Sequence, residues 1–399
     1  MTSTDTASRA TIRRLHDQSR PALRDLAATI HAHPELAFEE HRAVAACTEL
    51  LAAHGYSVET GAGGLDTAFV ARKGSGSLVA ALCVEYDALP EIGHGCGHSL
   101  IAAASVGAAL ALADAADDPE LDLTVLVIGT PAEEHGAGKQ LLLDAGVFDG
   151  VDLALMIHPA PHTDTYDPIG STSQAVGRWR ATWTGRGAHA AANPADGVNA
   201  NDAAVIAQVA AGLLRQRMAD GQRVALVPQQ SGVTNIVPER AVVDLECRAL
   251  TMDAFAVLRD RLFDCLRAGA VATGCELAIE QTEPVYEPLR QDETLGQAWN
   301  GAMRELGRPL NGSLGTTAAS TDMGNVSQRI PSLHPFIGIP GAGGALHTVE
   351  FAQHAESEPG RALMEDGALA MALVIHDIAA DPARRAAVQS TARALRERG

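Results

Sequence analysis

The order of apolar and polar positions predicts a sheet of buried strands in the first part of the chain. Several apolar runs of strand length contain almost no polar residue, which is typical of strands covered on both faces. Segments with apolar residues at helical spacing alternate with these runs, and this alternation favours a parallel sheet with helices on its faces. The predicted strands are 67–71, 78–84, 123–129 and 153–157, and the predicted helices are 11–31, 39–54, 100–116 and 139–145.

A different pattern begins at residue 176, where apolar and polar residues alternate as in strands with one exposed face. The predicted order is strand, helix, strands, helix and strand, which is typical of a small open-faced α+β sandwich. Because 399 residues exceed the roughly 250–300 at which one core stops growing, two domains are expected. We predict an α/β domain with a mainly parallel sheet at 1–175 and 288–399, and an inserted α+β domain at 176–287.

The elements of the second half of the chain follow from the same patterns. For the inserted domain they are strands 176–184, 224–227, 232–237, 241–248 and 275–281 and helices 201–218 and 252–273. Beyond it, helical spacing resumes at 293, a loop rich in Gly, Ser and Thr is expected at 312–327, a strand at 333–339 and a helix at 360–378. The basic C-terminal segment is expected to form a solvated surface helix.

Composition narrows the class of protein. Hydrophobic residues make up 46% and charged residues 20% of the chain, which is ordinary for a folded globular protein. The formal net charge of −19 repels polyanions, so neither nucleic acid nor an anionic membrane is expected as a partner. Residues 1–14 are polar and lack the apolar stretch of a signal peptide. The six cysteines are widely separated in the sequence, which is typical of reduced thiols and not of a disulfide framework. These features predict a cytoplasmic protein.

Residues that can bind a metal or move a proton follow three of the predicted strands. Because parallel strands place their carboxyl ends at one edge of a sheet, where ligands gather, these residues are expected to meet there. A glycine-rich loop at 341–350 adds one more imidazole. The candidates are Asp87, Cys96 and His98 after the second strand, Glu133 and Glu134 after the third, His158 after the fourth, and His347 in the late loop.

The types of ligand predict the kind of metal. A thiol with imidazoles and a carboxylate suits zinc or a neighbouring divalent transition metal and is poor for calcium or magnesium. One catalytic ion that keeps a position for water needs fewer than the five candidate ligands present. Because a thiolate can bridge two metals, the simplest arrangement is two ions that share Cys96. Of the adjacent Glu133 and Glu134, one can bind metal while the other moves a proton. This combination predicts hydrolysis.

Seven short segments, in this order and spacing, resemble the aminoacylase/carboxypeptidase G-like metallopeptidases. The similarity is to the branch that contains aminobenzoyl-glutamate hydrolase, β-alanyl dipeptidases and N-acyl-amino-acid amidohydrolases, in which a cysteine replaces the bridging aspartate of related exopeptidases. Ser99 and Glu85 depart from residues common in relatives, which bears on the substrate and not on the metal site. The segments are 33–36 (HPEL), 86–90 (YDALP), 93–98 (GHGCGH), 129–134 (GTPAEE), 187–190 (GAHA), 235–238 (NIVP) and 346–348 (LHT).

The resemblance implies a role for each candidate in the α/β domain. Cys96 would bridge two divalent ions, zinc first with manganese or cobalt as alternatives. The remaining ligands would be His98, Glu134, His158 and His347. Glu133 would be the general base, and Asp87 would orient a ligand. His94 is not expected to be a ligand and is assigned to the entrance of the site.

For the inserted domain the resemblance implies a lid that also forms a homodimer. His189 would reach the partner subunit's site and stabilise the oxyanion of the tetrahedral intermediate. Asn235 and Arg248 would hold the carboxylate or carbonyl of the substrate. The expected partners are a small-molecule N-acyl amino acid or dipeptide substrate and a second copy of the chain.

The predicted function is metal-dependent hydrolysis of an amide bond in N-acyl amino acids, aminobenzoyl-glutamate-like conjugates or short dipeptides. Two alternatives remain at this point. The chain could be an inactive homologue that only binds metal, although every catalytic role has a candidate residue. It could also be a cysteine hydrolase with Cys96 as nucleophile and His98 as base, which the surplus of other ligands disfavours.

Overall fold

A computed structural model describes residues 3–161 and 165–397. The helices are α1 (Ser3–Ala32), α2 (His41–Ala53), α3 (His98–Ala111), α4 (Ala113–Ala116), α5 (Gly138–Asp144), α6 (Ala200–Leu214), α7 (Met252–Thr273), α8 (Glu293–Glu305), α9 (Met323–Arg329), α10 (Val349–Ala355), α11 (Glu358–Ala380) and α12 (Pro382–Arg396). Short 3₁₀ helices span Ala62–Gly64, Pro194–Asp196 and Arg215–Arg217.

The strands are β1 (Ser57–Thr60), β2 (Phe69–Lys73), β3 (Leu78–Val84), β4 (Leu123–Gly129), β5 (Leu153–Leu155), β6 (His158–Ala160), β7 (Thr165–Tyr166), β8 (Ala175–Thr184), β9 (Ala188–His189), β10 (Arg223–Gln230), β11 (Ile236–Val237), β12 (Arg240–Ala249), β13 (Glu276–Gln281), β14 (Leu310–Asn311), β15 (Ser332–Leu333) and β16 (Phe336–Gly338). The chain divides into two units. The first comprises Met1–Thr172, Leu289–Thr317 and Thr321–Gly399, and the second comprises Ser173–Pro288 and Ala318–Ser320.

A six-stranded sheet in the order β1-β2-β4-β3-β5-β15 forms the centre of the first unit. Strands β4, β3, β5 and β15 run parallel to one another, which confirms the mainly parallel α/β class. β2 is antiparallel to β4, and β1, which the pattern missed, is antiparallel to β2. The expectation that the first strand would be parallel was therefore wrong, because a buried apolar run has the same appearance in either direction.

Helix α3 lies at the centre of this unit's core. All its residues are buried, and it packs against α1, α11 and β3. Its alanine-rich sequence permits this close approach: a Cβ atom at Gly107 would lie 2.6 Å from Cδ1 of Leu23. The loop from 85 to 97 joins the carboxyl end of β3 to the first residue of α3, so the buried end of the strand and the buried helix hold both ends of this loop.

The second unit has an antiparallel sheet in the order β10-β12-β8-β13. β8 alternates as predicted: Trp179, Ala181 and Trp183 are buried against α6 and α7, whereas Arg180 is exposed. On the outer face Arg180 pairs with Asp244 across to β12, at 2.7 and 2.9 Å. The unit is therefore a two-layer α+β sandwich.

Several late elements differ from the predictions. Of the strand expected at 232–237, only the two residues of β11 form a strand. The loop expected at 312–327 ends earlier, because α9 begins at Met323. α12 is anchored, not merely solvated. Arg385 pairs with Asp122 at 2.6 Å and Arg396 with Asp152 at 3.1 Å. Within the described residues, no helix combines the length and apolar character needed to cross a bilayer.

Candidate metal centre

The loop between β3 and α3 brings a thiol and an imidazole to the edge of the sheet. β3 ends at Val84 and α3 begins at His98. Gly97 has a φ of 81°, and a Cβ atom there would lie 2.5 Å from Cγ of Pro159, so the turn requires glycine. Cys96 and His98 are thereby held at 6% and 0% exposure.

Asp87 fixes the ring of His98. Nδ1 of His98 lies 2.8 Å from the main-chain oxygen of Asp87 and 3.0 Å from its Oδ1, so this nitrogen donates and Nε2 faces the site. Oδ2 accepts a 2.9 Å hydrogen bond from the main-chain N–H of Glu134. Burial opposes the charge of Asp87, but the contacts with His98 and Glu134 outweigh it and hold its pKa below the ordinary value. One carboxylate therefore orients two candidate ligands.

A second imidazole reaches the same place from β6. This strand lies parallel to β16, with His158 paired to Phe336. The ring donates from Nδ1 to the main-chain oxygen of Pro159 at 2.7 Å, which leaves Nε2 3.3 Å from Sγ of Cys96. Burial lowers the pKa of His158 to about 4, so the ring is neutral and offers a lone pair at neutral pH.

The loop after β4 carries the two adjacent glutamates. Its course depends on Ala132, which has a φ of 61° and whose N–H donates to Oε1 of Glu40 at 2.9 Å. Oε2 of Glu133 lies 3.7 Å from Nε2 of His98, and Oε1 of Glu134 lies 4.0 Å from the same atom. Burial, followed by the charges of neighbouring glutamates, raises the pKa of Glu133 well above its ordinary value.

The last candidate ligand comes from the glycine-rich loop before α10. The main-chain N–H of His347 donates to the oxygen of Gly95 at 2.9 Å, and His347 has a φ of 66°. Thr348 then caps α10 through its side chain. Nε2 of His347 lies 3.4 Å from Oε2 of Glu134; the histidine side chain is 52% exposed, and that of Glu134 only 9%.

These side chains form three groups whose possible ligand atoms lie within 4.8 Å of one another. The groups are Cys96, His98 and His158; Cys96, Glu134 and His347; and Glu85, His98 and Glu133. Nε2 of His98 and Oε1 of Glu134 are buried without a hydrogen-bond partner, which is costly unless a cation binds there. Two groups that share Cys96 fit two divalent ions that share a sulfur.

Two of the residues predicted to contact substrate have a well-defined local geometry in the second unit. Nδ1 of His189 accepts hydrogen bonds from the N–H groups of Ala191 and Ala192 at 3.2 and 3.1 Å. A neutral imidazole that accepts at Nδ1 carries its proton on Nε2, so His189 presents a donor. Asn235 is exposed, and its main-chain oxygen accepts from the N–H of Ala190 at 3.2 Å.

Arg248 has partners within its own unit. Its Nε lies 2.6 Å from Oε1 of Glu246. One of its terminal nitrogens lies 3.2 Å from the main-chain oxygen of Ala318 and 3.3 Å from Oγ of Ser320. A substrate carboxylate would have to share this guanidinium with Glu246. Substrate binding by Arg248 therefore stays a prediction.

A comparison with protein families decides the assignment of the chain. The model of peptidase family M20/M25/M40 matches residues 80–370, a span that contains every candidate ligand. The chain belongs to this family. The predicted resemblance is thereby confirmed, and the protein is a metal-dependent hydrolase of peptide or amide bonds.

Named relatives of this M20 peptidase include dipeptidases and amidohydrolases. The chain is 36% identical over 384 residues to the Xaa-Arg dipeptidase of Mus musculus, covering 92% of this chain and 88% of that protein. It is 31% identical over 308 residues to one of the subunits of the p-aminobenzoyl-glutamate hydrolase of Escherichia coli, covering 71% and 62% of the two chains.

Solved structures share the fold of this M20 peptidase. The aminobenzoyl-glutamate utilization protein of Klebsiella pneumoniae aligns with a TM-score of 0.71 at 19% identity, covering 92% of this chain and 98% of that one. A dinuclear metal-binding peptidase of the family from Bacillus subtilis aligns with a TM-score of 0.66 at 21% identity, covering 92% and 99%. At these identities the similarity concerns the fold.

The sequence patterns missed a buried ion cluster beside the centre. Lys139 on α5 has 0% exposure; its Nζ lies 2.6 Å from Oδ1 of Asp322 and contacts Oε1 of Glu85. Burial opposes the ammonium charge, but the two carboxylates outweigh it and raise the pKa of Lys139 above its ordinary value. A lysine at the start of the predicted helix 139–145 was the available signal, but its two carboxylate partners lie 54 and 183 residues away in the sequence.

Two further histidines lie near the centre without belonging to any of its three groups. His334 is 1% exposed, neither ring nitrogen has a hydrogen-bond partner, and its ring centroid lies 5.6 Å from that of His158. His94, expected at the entrance, is 2% exposed, and its Nε2 lies 3.1 Å from the main-chain oxygen of Ile30. Its hydrogen bond indicates a structural role.

Proposed function

We propose that this chain is a two-metal dipeptidase of the M20 family. The observation that carries the proposal is the pair of ligand groups that share one sulfur. The ions would be held by Cys96, His98, Glu134, His158 and His347. Bound divalent ions of this kind supply Lewis acidity: they lower the pKa of a water and polarise a carbonyl oxygen. The mixture of thiolate, imidazole and carboxylate favours zinc, with manganese or cobalt as alternatives.

Glu133 is the general base of this proposal. It lies 3.7 Å from Nε2 of His98, beside the ligands without being required as one. Its carboxylate takes a proton from water, and the resulting hydroxide adds to the amide carbon. The same carboxyl group then gives the proton to the leaving nitrogen as the C–N bond breaks. Its buried position keeps bulk water from exchanging that proton.

We propose a dipeptide with a basic C-terminal residue as the substrate. The 36% identity with the Xaa-Arg dipeptidase of Mus musculus over 92% of this chain supports that class. The net charge of −19 also favours it, because the field of the whole protein concentrates cationic ligands and repels anionic ones. N-acyl amino acids and aminobenzoyl-glutamate conjugates are the neighbouring classes, and the second of these is anionic.

The second unit is proposed as a lid that also forms a homodimer. On α6, Val205, Val209 and Leu213 recur every four residues and are 48%, 58% and 69% exposed, which is a helix face suited to a second copy. From this unit His189 would donate its Nε2–H to the oxyanion of the partner subunit's substrate. Asn235 and Arg248 would hold the substrate carboxylate or carbonyl. The six free thiols are consistent with a cytoplasmic location.

Hydrolysis assays on metal-depleted and reconstituted protein test the proposal. The panel contains Xaa-Arg and Xaa-Lys dipeptides, neutral dipeptides, N-acyl amino acids and aminobenzoyl-glutamate, with release of free amine as the readout. We expect chelation to abolish hydrolysis, zinc, cobalt or manganese to restore it, and basic dipeptides to be preferred.

Each alternative has its own signature in the same assays. Full metal occupancy without hydrolysis of any substrate in the panel would indicate a binding protein. Activity that survives chelation but is lost on thiol alkylation would indicate a cysteine hydrolase with Cys96 as nucleophile. His98 is the base predicted for that alternative, but the imidazole nitrogen 3.3 Å from Sγ of Cys96 is Nε2 of His158.

A further inference from the structure

Glu85 directs a carboxylate oxygen toward the metal centre from inside the protein. The residue follows β3 and has 0% exposure. Its Oε1 contacts Nζ of Lys139, but its Oε2 has no hydrogen-bond partner. Oε2 lies 3.6 Å from Nε2 of His98, and Glu85 forms one group with His98 and Glu133 in which ligand atoms lie within 4.8 Å. A buried carboxylate oxygen without a donor is costly, so one is expected to arrive during binding or turnover.

The carboxylate of Glu85 is fixed in place by its partners. Lys139 also binds Oδ1 of Asp322 at 2.6 Å, and its main-chain N–H donates to Oδ2 of Asp322 at 2.9 Å. All three side chains have 0% exposure. The cluster has two carboxylates for one ammonium and therefore retains one negative charge. That charge faces the centre through Oε2 of Glu85.

The chemistry of the neighbours identifies the missing donor. His98 donates from Nδ1 to Asp87, so its Nε2 carries no proton when it binds a cation. Glu134 is a carboxylate ligand in the proposed function and has no proton to donate either. Glu133 is different, because a general base becomes a carboxylic acid in each catalytic cycle and then needs an acceptor for its O–H.

We propose that Glu85 is a positioning residue that accepts a hydrogen bond from the protonated carboxyl group of Glu133. In this way it holds that group between the water that gives the proton and the nitrogen that receives it. The inference rests on the proposed role of Glu133. The water O–H bond breaks and its proton joins Glu133; the proton then moves to the amide nitrogen as the C–N bond breaks. Glu85 itself gains and loses no proton.

The two carboxylates that flank Lys139 provide a matched pair of variants. Glu85→Gln leaves a neutral pair of Lys139 and Asp322, and Asp322→Asn leaves a neutral pair of Lys139 and Glu85. In the first variant Lys139 binds the amide oxygen, so the amide NH₂, a donor, replaces the acceptor that faces Glu133. The second variant disturbs the same lysine and also its main-chain hydrogen bond, but leaves Oε2 of Glu85 unchanged.

The experiment measures kcat and KM separately, metal content per chain and the thermal midpoint for both variants and the wild type. We expect Glu85→Gln to lower kcat by about 10- to 100-fold, with KM and metal content little changed, as is typical of residues that support a catalytic group. Asp322→Asn should lower kcat much less at an equal or larger loss of stability. Equal losses of kcat in the two variants, or a loss that follows metal content, would overturn the inference.

Two more variants keep the test decisive. If Glu85→Gln does not fold, the triple variant Glu85→Met/Lys139→Met/Asp322→Asn removes all three charges of the cluster and should show the same loss of kcat; a triple variant with wild-type kcat overturns the inference. Glu133→Gln separates this inference from the proposed function. An inactive Glu133→Gln protein, together with equal effects of Glu85→Gln and Asp322→Asn, would contradict only the role of Glu85. An active Glu133→Gln protein would contradict both.

Discussion

The two candidate ligand groups that share Cys96 differ in how firmly they are held. In the first, His98 and His158 are buried, and each imidazole donates from Nδ1 to an acceptor 2.7–3.0 Å away. In the second, the side chain of Glu134 is only 9% exposed, but that of His347 is 52% exposed. His347 lies in the loop before α10, and its main chain has a φ of 66°. One half of the centre is therefore buried and held by hydrogen bonds, and the other half depends in part on an exposed side chain from the loop before α10.

This difference has a consequence for the order of assembly. Ligands whose rings are already oriented bind a cation without losing side-chain freedom, whereas an exposed histidine must give up rotamers to do so. We therefore expect the cation between Cys96, His98 and His158 to bind more tightly than the one between Cys96, Glu134 and His347. The His347 loop would also be the part of the centre that changes most when substrate enters.

The largest expected effect is at Glu133, which belongs to neither half as a proposed ligand. Glu133→Gln should lower kcat by roughly 10²–10⁴-fold, the usual contribution of a general base, while both metal ions stay bound. Steady-state kinetics measure kcat, and metal analysis of the same protein sample measures how many ions stay bound. Asp149→Asn, at an exposed position of the same unit, is a suitable control. Turnover within a few-fold of wild type would remove Glu133 from the mechanism.

The next effect compares one ligand from each half. His158→Ala should weaken the tighter metal and His347→Ala the weaker one, each by more than the roughly 100-fold that marks the loss of an outer-shell partner. Calorimetric titration of the metal-free protein would resolve two affinities in the wild type. Loss of the tighter step on His347→Ala, with the weaker step retained, would reverse the comparison.

Asp87 connects the two halves, because it orients His98 and accepts from the N–H of Glu134. Asp87→Asn should therefore lower the affinity for both ions and the activity by about 10- to 100-fold. The same titration measures both affinities. A variant in which only one affinity falls would show that the halves are held independently.

The smallest expected effect concerns the loop of the glutamates. Burial raises the pKa of Glu40 to about 7 from an ordinary value of 4.5. The folded state therefore holds this proton more tightly than the unfolded state, and stability falls as pH rises from about 4.5 to about 7, by at most about 3 kcal/mol. Glu40→Gln should remove this dependence and keep the bond to Ala132. Denaturation of metal-free protein at pH 5 and pH 8 is the measurement; equal pH dependence in both proteins contradicts it.

Much of the centre follows from local patterns in the sequence. Strands β3 and β4 were predictable because long apolar runs admit few other structures, and the edge where parallel strands end places Cys96, His98 and Glu134 together. The type of ligand also predicts the class of metal, and this stays a prediction. These predictions need only short-range information and one rule of sheet topology.

Other features depend on distant contacts and could not be predicted. The direction of β2 is set by its pairing with β4, which leaves no trace in an apolar run. The ion cluster joins Glu85, Lys139 and Asp322, which are far apart in the sequence. A lysine can be buried only because the fold brings two carboxylates to its ammonium group. The exposure of His347 likewise depends on how its loop packs on Gly95.

The central claim is that two cations share the sulfur of Cys96. Anomalous diffraction from crystals of the zinc-loaded protein, recorded at the zinc absorption edge, tests it most directly. We predict two peaks, each about 2.3 Å from Sγ of Cys96, one beside His98 and His158 and the other beside Glu134 and His347. A single peak, or two peaks of which one or both lie away from the sulfur, would contradict the account.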